Sequence, residues 1–372
     1  MSSDKIAIDA RMVVSRQYGI GRYLYNMLRK LFELDHNNQY SLIVNNDYLA
    51  PLAEKAPNCR LVKTDIKWLS LSEQWRLPAL IRELKPDLFH AASIAVPVIQ
   101  PVPTVATVYD LIHLAYIDSH YLGYLAYYQL ILRPALRRTR RVITISENSK
   151  RDLSTYLGVP PKKVVIASPA VEPEFRPIAD RGLIESFKSA RGLPQRFILY
   201  VGNRKKHKNV SGLLAAFARF RQMTDRPLSL VLAGRADQAT SSMIAKLGLN
   251  DAVRFAGEIG ETELPLLYNS AEIFVFPSFY EGFGLPPLEA MACGIPVVAS
   301  NNSSLPEVVG SAGLLVSPHD PQAIALAINK ILASPDLKND LSRQGIARAR
   351  EFSWERCAKQ TLGAYQSAIS SS

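Results

Sequence analysis

Twelve short apolar runs alternate with helix-length amphipathic stretches along this chain, and few folds accept that alternation. The runs are 5–9, 41–44, 61–63, 87–90, 105–109, 142–145 and 164–167, then 197–201, 228–233, 253–255, 273–276 and 297–299. Helical patterns such as 21–32, 73–84, 147–157, 210–223, 263–270 and 321–333 lie between most of them. Strand-helix alternation of this kind predicts an α/β protein with parallel, doubly wound sheets.

The series breaks once. Residues 168–196 carry a scatter of prolines, and proline removes backbone donors and fixes φ, so this stretch reads as a linker between two sheets. A chain of 372 residues is long enough for two cores. The expected organisation is a Rossmann-like domain over 1–172, a second over 173–352, and a final helix over 353–372 that has no strand after it and packs back onto the first domain. Two such domains facing one another leave a cleft at the carboxyl ends of their strands, where a ligand is expected.

The most informative local stretch is Glu281-Gly-Phe-Gly-Leu-Pro-Pro-Leu-Glu289, directly after the run 273–276. Core packing gives no reason for two carboxylates in so apolar a setting, because an unpartnered buried carboxylate costs several kcal/mol or neutralises. A polar ligand is the simplest partner. Pro286 and Pro287 suit the first turn of a helix, which puts Glu289 in its first turn or two and Glu281 in the preceding loop. Gly282 and Gly284 let backbone amides approach a ligand, and the helix start adds partial positive charge suited to phosphate. Carboxylates for hydroxyls beside amides for phosphate describe a sugar-nucleotide site.

Other stretches at strand ends fit that reading. Asn203-Arg-Lys-Lys-His-Lys-Asn209 follows the run 197–201 and opens a helix; Arg204 and Lys208 are its better phosphate candidates and His207 a weaker one. Tyr18-Gly-Ile-Gly-Arg-Tyr, with Gly19 and Gly21, feeds the first helix. It reads as a diphosphate contact, as a plain tight turn or, last, as a nicotinamide-binding turn, since Leu24 stands where a dinucleotide fingerprint wants glycine. Asp110 ends another strand, as a helix cap or a site residue, with His113 nearby. Ser146 opens a helix and reads first as its cap.

Bulk composition excludes several classes. Hydrophobic residues at 48% and charged residues at 21% fit a globular enzyme. Cys59, Cys293 and Cys357 have no metal-like spacing and are expected to stay reduced in a cytoplasmic setting. The start, Met1-Ser-Ser-Asp-Lys-Ile, reads as neither signal peptide nor anchor, and the stretch 123–133 is too short and interrupted to span a bilayer. No Asp-x-Asp pair, His-x-x-x-His or cysteine cluster offers a metal site, and P-loop and serine-esterase motifs are missing. The net charge is +11, of which +8 falls in residues 1–170. Arg137-Arg-Thr-Arg-Arg141 is the densest patch, read as a solvated helix end or as a peripheral contact with an anionic membrane. Nucleic acid is not an expected partner, because few aromatics stand in the basic clusters and no nucleic-acid module is recognisable.

Together these motifs resemble the family-4 retaining glycosyltransferases (glycosyl transferases group 1), which adopt the two-domain GT-B fold. The likeness runs from Gly19-Ile-Gly-Arg-Tyr through Ile145-Ser-Glu-Asn-Ser-Lys-Arg-Asp-Leu and Tyr200-Val-Gly-Asn-Arg-Lys-Lys-His-Lys-Asn to Glu281–Ser300 and Ser304-Leu-Pro-Glu-Val-Val-Gly310. The resemblance implies that Glu281 meets the donor sugar's hydroxyls and Glu289 the nucleotide ribose. It also implies that amides around Phe283, Gly284 and Leu285 face sugar and diphosphate, that Lys208 with Arg204 neutralises the diphosphate, and that the first domain takes the acceptor. Glu281, Lys208, Arg204 and Asp110 are thus the catalytic candidates, and Gly19, Gly21, Asn203, Gly282, Phe283, Gly284, Leu285 and Glu289 the donor-binding ones, with no metal and no cofactor. Two positions depart from the family pattern: Tyr109 stands where many relatives have histidine, and His207 where arginine is common.

The function expected is transfer of a hexose, first mannose from GDP-mannose and second glucose from UDP-glucose, to a glycan or lipid-linked glycan acceptor in polysaccharide biosynthesis. The expected location is cytoplasmic, with possible contact at the inner face of the cell membrane. A glycoside phosphorylase on the same scaffold is the alternative enzyme, distinguished by release of sugar phosphate. A non-catalytic glycan- or nucleic-acid-binding protein is the alternative outside catalysis.

Overall fold

The computed structural model describes residues 3–14, 19–116, 122–224 and 227–370. Tyr18 of the first glycine motif, the start Met1-Ser2 and the last two serines lie outside the described residues. The chain divides into two compact units, Met1–Pro169 with Ser353–Ser372, and Ala170–Phe352.

The first unit is built on β1 (Lys5–Asp9), β2 (Gln39–Val44), β3 (Cys59–Lys63), β4 (Leu88–Ala91), β5 (Thr104–Thr107), β6 (Arg141–Thr144) and β7 (Val164–Ile166). All pairings are parallel, in the order β3-β2-β1-β4-β5-β6-β7. The chain winds outward from β1 to β3, then returns past β1 to place β4 on its other side, so the β1/β4 boundary is the topological switch point. Strands β4 and β5 are buried along their whole length, as parallel strands covered on both faces require.

The second unit contains β8 (Phe197–Tyr200), β9 (Ser229–Leu232), β10 (Val253–Phe255), β11 (Ile273–Phe276), β12 (Val297–Ser300) and β13 (Leu314–Val316). Their order is β10-β9-β8-β11-β12-β13, again parallel, with the switch point between β8 and β11. The edge strand β13 corrects the sequence reading, which ended the series at β12. Its three residues are only half-buried, as suits a strand at the edge of the sheet.

The final helix, Trp354–Ser370, buries Trp354, Cys357, Ala358, Thr361, Ala364, Tyr365 and Ala368, an i, i+3, i+4 stripe. That face packs on the first unit. Cys357 Sγ lies 3.3 Å from the Tyr23 hydroxyl, and the Tyr365 hydroxyl lies 2.7 Å from His90 Nδ1. His90 Nε2 meets Thr107 Oγ1 at 2.7 Å, so both ring nitrogens are engaged inside the core. Burial lowers the His90 pKa to about 3. The stretch singled out at 123–133 is a helix Leu122–Tyr127, a π turn Tyr128–Leu132 and the start of a helix Arg133–Arg138. Among the described residues no helix is long and apolar enough to cross a membrane.

Candidate active site

Two loops leave neighbouring strands at the switch point of the second unit. The first runs from β8 through a 3-10 turn, Lys206–Lys208, to Asn209, the cap of the helix Val210–Gln222. Asn209 sits at φ 54° and its Oδ1 accepts from Gly212 N at 3.1 Å. Its Nδ2 donates to the carbonyls of Pro277 (3.0 Å) and Pro318 (2.7 Å), and Phe279 N donates to the His207 carbonyl at 2.7 Å. The buried amide of Asn209 thereby fastens the basic loop to the loop after β11.

That second loop carries Glu281 to the helix Leu285–Ala292, with Pro286 and Pro287 in its opening turn and Glu289 in the next. Gly284 precedes the helix at φ 124°, and a Cβ there would lie 2.8 Å from Leu305 Cδ2. Only glycine satisfies both restrictions. A third loop, after β12, buttresses the first two. Ser303 Oγ accepts from Glu281 N (3.0 Å), Ser304 Oγ donates to the Glu281 carbonyl (2.9 Å) and to that of Phe283, and Asn302 Nδ2 donates to the Phe279 carbonyl (2.7 Å).

The arrangement brings Lys208 to Glu281. Lys208 Nζ donates to both carboxylate oxygens at 2.7 and 2.8 Å and stands 5.3 Å from the centre of the Phe276 ring. Glu281 is 9% exposed. The β8–β11 pairing puts the lysine of the basic loop in direct contact with one of the two glutamates. Glu289, 2% exposed, has a different partner, accepting from the Tyr268 hydroxyl at 2.7 Å.

Arg204 turns elsewhere. Its guanidinium donates to the carbonyls of Arg235 (2.7 Å) and Ala233 (3.2 Å), lies 3.3 Å from Asp237, and covers the Phe255 ring at 5.0 Å. Asn203 Oδ1 accepts from Lys205 N at 3.2 Å, and its carbonyl accepts from the Tyr200 hydroxyl at 2.8 Å. Burial pushes that hydroxyl's pKa up, so Tyr200 stays a neutral donor.

The remaining candidates belong to the first unit. Gly19 and Gly21 lie in the opening turn of the helix Gly19–Leu34, and a Cβ on Gly19 would meet no atom within 4 Å. Asp110 Oδ1 accepts from Ile112 N at 3.1 Å at the start of a short helix. His113 meets the Tyr128 hydroxyl at 3.0 Å and stacks on Tyr124. Tyr109 is buried, donating to the Ala92 carbonyl at 3.0 Å with its ring edge on Tyr23. Ser146 caps the helix Glu147–Leu157, accepting from Ser149 N. Asn302, Ser303 and Ser304 have no counterpart in the sequence reading beyond the quoted motif; their signal is four consecutive small polar residues, 301–304, between a buried strand and a proline-started helix.

Residues 184–348 match the family Glycosyl transferases group 1, and residues 18–175 match Glycosyltransferase Family 4. The chain belongs to this glycosyltransferase family. It is therefore an enzyme, a retaining hexosyltransferase, and its two parallel-sheet units form the GT-B fold. Over 365 residues it is 29% identical to O-antigen chain mannosyltransferase B of Escherichia coli, covering 94% of this chain and 96% of that one. It is 32% identical over 282 residues to the serotype-specific mannosyltransferase WbdA of Escherichia coli, covering 73% of this chain but 34% of WbdA. The MMP alpha-(1->4)-mannosyltransferase of Mycolicibacterium hassiacum is 36% identical over 238 residues, 63% of this glycosyltransferase and 55% of that protein. Among solved structures, sucrose-phosphate synthase from Thermosynechococcus elongatus superposes with a TM-score of 0.77 at 22% identity, covering 99% of this chain and 100% of that one. Anabaena HepE in complex with UDP and glucose does so at 0.76 and 19%, covering 98% and 100%.

Proposed function

We propose that this glycosyltransferase moves mannose from GDP-mannose, with UDP-glucose the second choice of donor, to a glycan or lipid-linked glycan acceptor in polysaccharide biosynthesis. The observation that carries the reading is the Lys208–Glu281 pair at the β8/β11 switch point, beside the opening of the 285–292 helix. The names of the relatives just given support mannose.

In this reading a donor places its hydroxyl-rich ring against Glu281 and its diphosphate against Lys208 and the amides around Phe283, Gly284 and Leu285. Glu289, in the second helical turn, serves the ribose hydroxyls. Breaking the anomeric bond builds positive charge on the ring and negative charge on the departing diphosphate. A cation held by its neighbours and fixed helix-terminal amides stabilise that charge with little reorganisation. The acceptor hydroxyl enters on the leaving-group face and gives its proton to the departing phosphate, with no covalent bond to Glu281. Arg204 acts on the diphosphate in this scheme only by supporting the loop that carries Lys208.

Calorimetry against GDP-mannose, UDP-glucose and other nucleotide sugars tests the donor. Binding of GDP-mannose in preference to the rest is expected, and silence towards every nucleotide sugar would sink the proposal. Release of sugar phosphate from a glycan in the presence of inorganic phosphate would favour the phosphorylase instead.

Peripheral membrane contact forms part of the same proposal. Exposed Ile99 lines a cavity of about 560 Å³ together with Arg138 and Arg140, near the amino ends of β5 and β6. Cosedimentation with anionic but not neutral vesicles is the expected result.

A further inference from the structure

Two of the chain's three tryptophans, Trp68 (39% exposed) and Trp75 (61% exposed), face solvent within eight residues of each other. Tryptophan is highly buried on average, so this pairing asks for a reason. Trp68 lies on the segment between the carboxyl end of β3 and the helix Glu73–Leu84, and Trp75 in the first turn of that helix.

That segment crosses the ligand side of the first sheet as a fixed strap. The Ile66 carbonyl accepts from Asn45 Nδ2 (3.2 Å), just past β2, and from Arg11 Nη1 (3.1 Å), just past β1. Trp68 Nε1 donates to Ser93 Oγ (3.0 Å), just past β4. The strap therefore runs from the edge of the sheet to the β1/β4 switch point, where an open α/β sheet binds its ligands. Beneath it, the Arg11 guanidinium is shared by Asp9 (2.7 Å) and Glu73 (2.8 Å), all three buried. Glu73 also accepts from Leu69 N at 3.2 Å, holding Leu69 in the left-handed region at φ 57°. Several hydrogen bonds and one strained residue thus fix an indole whose polar edge is satisfied and which stays 39% exposed.

The geometry points to Trp68, flanked by Trp75, as an acceptor platform on which a neutral sugar ring stacks. A pyranose presents C–H groups on one face, and these carry the partial positive charge that the negative face of an indole attracts. The surrounding charge favours this occupant over an anionic lipid. Lys63 pairs with Asp47 and Arg76 with Asp65, leaving Lys67 as the cation without an ion pair among the described residues 61–76. The arginine-rich patch at 137–141 is different in kind, lying near the amino ends of the strands.

This inference rests on the reading of the chain as a glycan-building transferase, but its test needs no donor. Intrinsic fluorescence of the full chain is titrated with neutral trisaccharides of mannose, glucose, galactose and N-acetylglucosamine. At least one is expected to shift the emission saturably. Trp68→Ala is expected to weaken that binding about tenfold or more, on the scale of other planar stacking contacts, and Trp75→Ala by less. Trp68→Phe, which loses the Ser93 bond but keeps an aromatic face, is expected to stay within about threefold of the parent. GDP-mannose affinity should be unchanged in all three variants. No response to any trisaccharide, or a parent-like response of Trp68→Ala, overturns the platform. So does a shift caused only by anionic vesicles, or one that follows protein concentration without sugar, which would mean a lipid surface or a second copy. Failure of nucleotide-sugar binding with an intact trisaccharide response would remove the donor proposal and leave the platform standing.

Discussion

Lys208 and Glu281, 73 residues apart in sequence, meet as a two-pronged ion pair with Nζ 2.7 and 2.8 Å from the carboxylate oxygens. Both side chains are largely buried, so each depends on the other to offset its lost hydration. The pair spans the switch point of the second sheet, and anything that competes for either charge must enter there.

Lys208→Ala is expected to lower the rate of transfer by about 10²–10³-fold, the scale for losing a preorganised charge at a reacting centre. It also strands the Glu281 carboxylate, at a stability cost of about 3 kcal/mol. The double variant Lys208→Met/Glu281→Gln separates the two effects: its urea midpoint should return towards the parent value, while transfer stays lost. Recovery of transfer in the double variant would show that the pair is structural only.

Much of this site was legible in the chain before any geometry. Glu281 and Glu289 stand out because carboxylates in so apolar a run need partners, and the paired prolines locate the helix start between them. The Lys208 contact was not legible, because it depends on β11 lying beside β8, and sheet order is a tertiary choice that local periodicity does not record. The buttressing roles of Asn302, Ser303 and Ser304 were not legible for another reason: small polar residues before a helix look like ordinary caps, and here they hold the carbonyls and amide of a different loop. Trp68 escaped because an aromatic in an irregular segment carries no sign of its exposure. The twelve strands read in the sequence lie within two residues of their observed bounds, and β13, a half-buried three-residue strand at the sheet edge, was missed.

Ser304→Ala removes the donor to the Glu281 and Phe283 carbonyls, leaving both ion-pair partners in place. The expected result is a roughly tenfold fall in kcat with a modest stability loss of about 1 kcal/mol, typical of one buried hydrogen bond. Steady-state kinetics checks the first and urea unfolding the second. An unchanged kcat would mean that the loop holds its shape without this serine.

Gly284→Ala forces a Cβ onto a backbone at φ 124° and to within 2.8 Å of Leu305 Cδ2. Strain and overpacking of this kind cost about 2–4 kcal/mol together. For a unit of this size, the apparent melting transition should fall by roughly 5–15 °C. Gly19→Ala, with open space around its Cβ, is the control and should melt within about 2 °C of the parent.

His90 sets an acid limit on the seat of the final helix. Its folded pKa is about 3 because burial disfavours the imidazolium, whereas the unfolded value is near 6.5. Above pH 6.5 both states hold a neutral ring and the group adds no pH dependence. As pH falls below 6.5 the unfolded chain takes up a proton that the folded one refuses, so stability declines by about 1.4 kcal/mol per pH unit until roughly pH 3. Between pH 7.5 and 4.5 the loss from this one residue is about 2–3 kcal/mol. His90→Gln keeps a polar side chain between Tyr365 and Thr107 but cannot titrate, so its urea midpoint should fall less steeply with acid than the parent's. Hydrogen exchange should show the difference in the Trp354–Ser370 helix, with the parent losing protection there at pH 4.5 and the variant retaining more of it. Equal acid slopes for the two proteins would place the sensitivity in the carboxylates instead.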